Sequence, residues 1–323
     1  MKKILTFIML VLSMSTAVAV RIENINIRDP FILNDNGVYY MYSTKDTTDS
    51  NGNIRGGVAV YMSEDMKDWH GPNRVMSISD DNALKGTVWA PEVHKYNGKY
   101  YLFATINSDL KWKQSNDGEP DYVFRGTQIF FSDSPTGPFK SFGRFPHTRL
   151  DYMALDGTLW IENGTPYMVY CHEWVQIGDG TIELVELSEN LSNVVGEPMV
   201  LFHGSTPEWS DGLNTGNKTM PKGYVTDGCY LYRTKLGRLL MIWSSFSNGN
   251  YAIGVSESTT GSVKGPWRHN ETPLFSANGG HGMIFKTNEG QLCLILHQPN
   301  HPSGAERAQI YPLEDCGATI RLK

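Results

Sequence analysis

The chain has 323 residues, with 28 Lys and Arg against 34 Asp and Glu, a formal charge of −6 and no run of basic residues. That balance argues against nucleic acid or an anionic membrane surface as partner, and a neutral ligand fits better. Four cysteines (Cys171, Cys229, Cys293 and Cys316) without C-x-x-C or His-rich spacing argue against a structural zinc site.

In chain order, Lys2 and Lys3, an apolar stretch over 4–14 and Ala17-Val18-Ala19 read as an export signal cleaved after Ala19. Residues 1–19 are therefore expected to be removed, leaving a mature chain from Val20 in a periplasm or the medium. The apolar core is shorter than the roughly 20 residues a membrane span needs, and no later segment is long enough, so no membrane insertion is expected after cleavage. Residues 20–323 hold no Pro/Ser-rich linker, which makes one domain the economical reading. Export permits disulfides, but Cys171, Cys229 and Cys293 fall in predicted strands of different repeats, where buried thiols serve equally well.

Five residue pairs then open β-type runs: Asp29-Pro30, Ala90-Pro91, Asp156-Gly157, Asp227-Gly228 and His281-Gly282. Each leads through a polar, Gly-containing turn to a second apolar strand, such as Tyr39-Tyr40-Met41-Tyr42 or Leu239-Leu240-Met241-Ile242-Trp243. The openings are spaced roughly 54 to 71 residues apart, close to the period of propeller blades with their loops. Further strands are predicted at 58–62, 128–131, 182–187, 252–255 and 308–311. All but the last lead into Ser-initiated turns at Ser63, Ser132, Ser188 and Ser256. The expectation is an all-β, five-bladed β-propeller.

In such a fold the innermost strands converge on the axis, which places Asp29, Ala90, Asp156, Asp227 and His281 together. Three carboxylates and an imidazole at one mouth require a cation or proton chemistry. Arg28 precedes Asp29, and strict alternation along a strand sends its guanidinium to the other face. Each residue also has a structural reading. Asp29-Pro30 suits an Asx-Pro turn, the two Asp-Gly pairs suit hairpins, and His281 suits a buried hydrogen-bonding imidazole. Trp89 is a sugar platform or inter-blade core. Glu92 binds substrate or pairs with a neighbour, while His172 and Trp174 bind substrate or pack the loop that follows Cys171.

Arg28-Asp29-Pro30, Trp89-Ala90-Pro91-Glu92, Leu155-Asp156-Gly157, Thr226-Asp227-Gly228 and Gly280-His281-Gly282, in that order, resemble glycoside hydrolase family 43. The resemblance implies a five-bladed propeller that hydrolyses arabinose- or xylose-containing oligo- and polysaccharides with inversion, needing no organic cofactor. It implies Asp29 as general base, Asp156 as the carboxylate tuning the acid's pKa, and His281 beside an axial ion, Ca²⁺ or Na⁺, held mostly through water.

One position departs from that pattern. The family's proton donor is a Glu in Glu-Gly-Pro, whereas this chain has Asp227-Gly228-Cys229. Asp is one methylene shorter, so its proton falls roughly 1.5 Å short of a site built for Glu. Three readings stand: Asp227 is still the acid; Glu173 in Cys171-His172-Glu173-Trp174 donates instead; or the chain binds sugar without turnover. Insertions at 47–57, 109–126 and 205–223 are expected to wall the site and favour action at chain ends.

Overall fold

The computed structural model describes residues 19–114, 121–217 and 219–323. The expected export signal lies outside the described residues except for Ala19.

Five antiparallel sheets form the blades of a propeller. Their innermost strands are Phe31–Asp35, Gly86–Tyr96, Ala154–Glu162, Asp227–Arg233 and Gly280–Lys286. In blades 1, 2 and 3 the first two strands meet at Asn36-Gly37, Asn97-Gly98 and Asn163-Gly164, both residues of each pair having positive φ. That is the two-residue turn whose twist matches a hairpin, and Asn-Gly accommodates it with least strain. The second and third strands fall where the sequence pattern put them. Each blade adds a fourth strand that the pattern missed, Asp68–Ser77, Lys140–Ser141, Val194–His203, Trp267–His269 and Ile320–Leu322, and in blade 1 Val20–Arg21 pairs outside it. These are short or polar edges with weak alternation. The blade-4 turn begins at Ser258 rather than Ser256: Ser258 Oγ donates to Ser262 O (2.6 Å), whereas Ser256 lies within the strand and accepts from the Trp243 indole N–H (2.9 Å).

The core lies between blades rather than within them. One cluster joins blades 1, 2 and 5 around Tyr42, Trp69 and Ile106, and others join blades 3 with 4, 4 with 5, and 2 with 3. All four cysteines are free thiols, three of them buried. The ring closes between blades 5 and 1. Asn34 Nδ2 donates to Lys286 O (3.0 Å), Asn288 N donates to the Tyr39 hydroxyl (2.6 Å), and Asn26 pairs with Arg307.

At the axial start of each inner strand the chain turns through a left-handed residue: Asp29 (φ 51°), Ala90 (43°), Asp156 (58°), Gly228 (51°) and His281 (51°). In blades 2 to 5 strand pairing slips at this point, between Trp89 and Glu92, Leu155 and Thr158, Asp227 and Tyr230, and Gly280 and Met283. Each hinge is thus a bulge that leaves a backbone N–H without a partner in its own sheet. In four blades the preceding blade supplies the acceptor. Asp156 N–H donates to Thr105 Oγ1 (2.9 Å), Gly228 N–H to Asp156 Oδ2 (3.1 Å), His281 N–H to Ser244 Oγ (2.8 Å) and Asp29 N–H to His297 Nδ1 (3.3 Å).

This register corrects one expectation. The blade-4 counterpart of Asp29, Asp156 and His281 is Gly228, and Asp227 stands one residue earlier, level with Arg28, Trp89, Leu155 and Gly280. A side chain at Gly228 is barred, because a Cβ there would lie 2.7 Å from the His281 ring. Ser244→Ala removes the acceptor for the His281 N–H, and a buried unpaired donor costs about 1–3 kcal/mol. The urea midpoint of this variant is expected to fall correspondingly; an unchanged midpoint would show that the hinge does not depend on its cap.

Candidate active site

The hinges bring one residue from each of blades 2, 4 and 5, and two consecutive residues from blades 1 and 3, to the mouth of the axis. A cavity of about 510 Å³ opens there, lined by Arg28, Asp29, Trp89, Leu155, Asp156, Asp227 and His281 on its floor and by Asp46, Glu173, Trp174, Tyr251 and Asn300 among its wall residues. Asp29, Ala90, Asp156 and His281 are non-glycine residues in left-handed conformation, which costs about 1–3 kcal/mol each and is tolerated mainly where function needs it.

Asp29 Oδ1 lies 3.2 Å from His281 Nδ1, 3.1 Å from His297 Nδ1 and 3.8 Å from Arg28 Nε. These contacts are off-line for a full hydrogen bond at Oδ1. His297 Nδ1 already accepts the Asp29 N–H, and its Nε2–H faces Asn300 Oδ1 (3.1 Å). Asn300 Oδ1 also accepts from the Arg28 guanidinium (2.7 Å). Burial works against an anion at Asp29, but His281, His297 and Arg28 together hold its carboxyl well below the ordinary carboxylate range. Arg28 is therefore a cavity residue, contrary to the alternation argument, because the left-handed turn at Asp29 breaks the period of two.

Asp156 Oδ2 lies 3.8 Å from His281 Nδ1. Burial raises the Asp156 pKa; His281 pulls it down and the neighbouring Asp227 and Asp29 push it further up. Burial also raises Asp227, partly offset by His281 and by the Tyr251 hydroxyl, which donates to Asp227 Oδ2 at 2.9 Å. For His281 the order reverses: burial opposes the imidazolium, and Asp29, Asp156 and Asp227 outweigh it to raise the pKa.

Glu173 enters from the side, at the end of the second strand of blade 3 and just before a single helical turn, Trp174–Ile177. Its carboxylate pairs with Arg125, whose Nε donates to Asn107 Oδ1 (2.8 Å) and whose guanidinium lies 4.4 Å from the centre of the Trp89 ring. Burial pushes the Glu173 carboxyl up to about 7, against the pull of Arg125 and with help from Asp227. Trp174 lines the cavity, fitted against Gly223, where a Cβ would lie 2.1 Å from the indole.

Two other candidates lie outside the cavity. Glu92 is buried and bonds to His94 (2.9 Å). His172 is buried between Glu183 (3.2 Å) and Gln176 (2.9 Å) and stacks on Tyr152 at 4.0 Å, which fixes the turn carrying Glu173 and Trp174 without reaching the cavity. Arg125, Tyr251, His297 and Asn300 were not singled out from the sequence. Their roles rest on contacts between distant segments, and a lone polar residue in a strand carries no signal of that.

The ion expected beside His281 fits poorly as a direct ligand. The imidazole nitrogen facing the carboxylates is held as a cation's donor, and among the described residues no group of three or more His, Cys, Asp or Glu side chains is arranged to hold a metal. A hydrated Ca²⁺ or Na⁺ would meet the axis through water only, and no step below runs through it.

The family model for glycosyl hydrolases family 43 matches residues 22–313. The chain belongs to that family. An endo-arabinase structure from Bacteroides thetaiotaomicron is similar at 35% identity and TM-score 0.79, over 92% of this chain and 98% of that one. A thermostable family-43 glycoside hydrolase, at 22% identity, 92% and 93% coverage and TM-score 0.74, shares the fold. Among curated relatives, an alpha-L-arabinofuranosidase 43 from Humicola insolens is 22% identical over 74% of this chain and 47% of its own length. A beta-xylosidase from Bacillus subtilis is 22% identical over 76% and 44%. This family 43 chain thus spans about half the length of the curated relatives it matches.

Proposed function

We propose that the chain hydrolyses α-L-arabinofuranosidic linkages of arabinan-type chains with inversion, Asp29 acting as general base and Glu173 as general acid. The observation that carries this reading is one of position and charge: Asp29 is held ionised beside His281 and Arg28, and of the carboxyls that burial raises, Glu173, pushed up to about 7, enters from the side, whereas Asp156, pushed up to about 8, shares the axis with His281. Inversion needs such a pair, one activating water and the other protonating the leaving oxygen. A general acid works best with a pKa near the operating pH. The arabinan preference is supported by the similarity to the endo-arabinase, which extends over nearly the full length of both chains. The finer choice between ends and interiors of the chain follows from how far the walls enclose the glycan.

Asp227 is the weaker donor. It stands at the axis, coupled to Asp29 and His281 and accepting the Tyr251 hydroxyl proton, and it lacks the methylene that would carry its proton outward. In this reading the Asp29 anion, 3.2 Å away, keeps His281 protonated, and His281 in turn keeps Asp29 ionised. Trp89, held flat by the Arg125 guanidinium, offers a face to the sugar. We further propose that the protein acts after export, on the strength of the N-terminal Lys2, Lys3 and Ala17-Val18-Ala19 pattern. A mature N-terminus at Val20, read by mass spectrometry of the exported protein, checks this, and an intact Met1 contradicts it.

The acid assignment is tested with Glu173→Ala and Asp227→Ala on aryl α-L-arabinofuranosides and on arabino-oligosaccharides. An activated aryl leaving group needs little protonation. Glu173→Ala is expected to keep that activity while losing about 10²- to 10⁴-fold on oligosaccharides. The selective loss appearing in Asp227→Ala instead would transfer the role, and no turnover by the unaltered protein would leave sugar binding alone. For the unaltered protein kcat/KM on oligosaccharides falls as pH rises through about 7, where Glu173 loses its proton. Arg125→Gln removes the cation that favours the anion and moves that limb upward.

A further inference from the structure

The second strand of blade 2, Lys99–Lys113, outruns its inner neighbour: Gly86 pairs with Ser108, and beyond that point only the third strand, Tyr122–Ser132, accompanies it. Inner strands begin at the cavity mouth and run away from it, so the segment past Ser108 rises above the mouth as a free-standing hairpin. Its upper part carries large apolar side chains in water. Leu110 is 57% exposed and Trp112 37% exposed. Trp112 packs against Tyr122 with ring centres 5.1 Å apart, and its indole N–H donates to Val123 O at 3.2 Å.

Two contacts tie this hairpin to the active site. At its base Arg125 holds Glu173 and covers Trp89. Higher up, the Tyr122 hydroxyl donates to Gln176 O at 3.1 Å, within the helical turn that begins at Trp174, and Ile177 at the end of that turn is itself 39% exposed. The aromatic surface is therefore continuous with the wall that carries Glu173 and Trp174.

We propose that Trp112, Tyr122 and Leu110 form a distal sugar-binding platform that grips a neutral pentoside chain beyond the bond being cut. The inference rests on the reading of the cavity as a pentosidase site. The Trp112 indole has its N–H bonded and one side packed on Tyr122, which is braced in turn by the Lys113 ammonium 4.5 Å from its ring centre, and its remaining exposed surface suits stacking on sugar C–H groups. Aromatic side chains held in place by backbone bonds give contact area at low entropic cost. The ion pair of Lys111 with Asp121 supplies polar edges that a hydroxyl-rich chain can meet. Occupation would lengthen the substrate footprint along blade 2 and favour polymers over small glycosides.

The test compares Trp112→Ala with the unaltered protein on linear arabinan and on an aryl α-L-arabinofuranoside. The ratio of kcat/KM values, polymer over aryl substrate, is expected to fall about fivefold or more through a higher polymer KM, as loss of an aromatic anchor does at other interfaces. Affinity electrophoresis in arabinan gels, with Asp29→Asn as background so that nothing is hydrolysed, should show weaker retardation once Trp112 is also replaced. This arm reads the platform even if the hydrolytic reading fails. A ratio within twofold together with equal retardation overturns the proposal. So does a change of oligomeric state in Trp112→Ala, which would assign the surface to a second copy of the chain.

Discussion

The structure turns on five left-handed hinges at the mouth of the propeller axis. Those of blades 2 to 5 break strand pairing, and in blades 1, 3, 4 and 5 the hinge N–H is bonded by a side chain of the preceding blade. Those four hinges are therefore tied to the blade before them, which links blades 2 to 3, 3 to 4, 4 to 5 and 5 to 1. In blades 1 and 3 the left-handed hinge turns two successive side chains toward the mouth instead of one. That is how Arg28 with Asp29, and Leu155 with Asp156, come to share a cavity with His281.

Electrostatics follows from that crowding. Burial by itself would protonate every carboxyl in the cavity, and the departures from that rule mark where chemistry is available. Asp29 sits beside the His281 imidazole and the Arg28 guanidinium, with His297 against it, and stays ionised. Burial pushes Asp156 and Asp227 both up, with the His281 imidazole pulling against it. Glu173, off the axis, balances burial against one arginine and comes to rest near neutrality. The two carboxyls are thus set apart by environment, Asp29 on the axis and Glu173 on a side wall.

The repeat, the inner strands and the convergence of Asp29, Asp156 and His281 were legible because alternation and turn chemistry repeat at blade spacing. The one-residue offset of Asp227 was not. Asp-Gly reads alike whether Asp or Gly takes the positive φ, and only contact with the His281 ring decides it. Arg28 was misdirected for a related reason, since a period of two holds only while the strand stays regular. Glu173 was visible as a candidate, but its partner Arg125 lies 48 residues away and reads as an ordinary strand-end arginine. Glu92 and His172 carried the right chemistry in the right segments, yet both are consumed by buried partners, Glu92 by His94 and His172 by Glu183 and Gln176.

The central claim is that an off-axis glutamic acid is held near neutrality while the axial base stays ionised. It is tested most directly by titrating the side-chain carboxyls of glutamate-labelled protein by carbon NMR, with Glu173→Gln alongside. One resonance should titrate near 7 and vanish in the variant. A Glu173 resonance titrating near the ordinary value of about 4 would contradict the account.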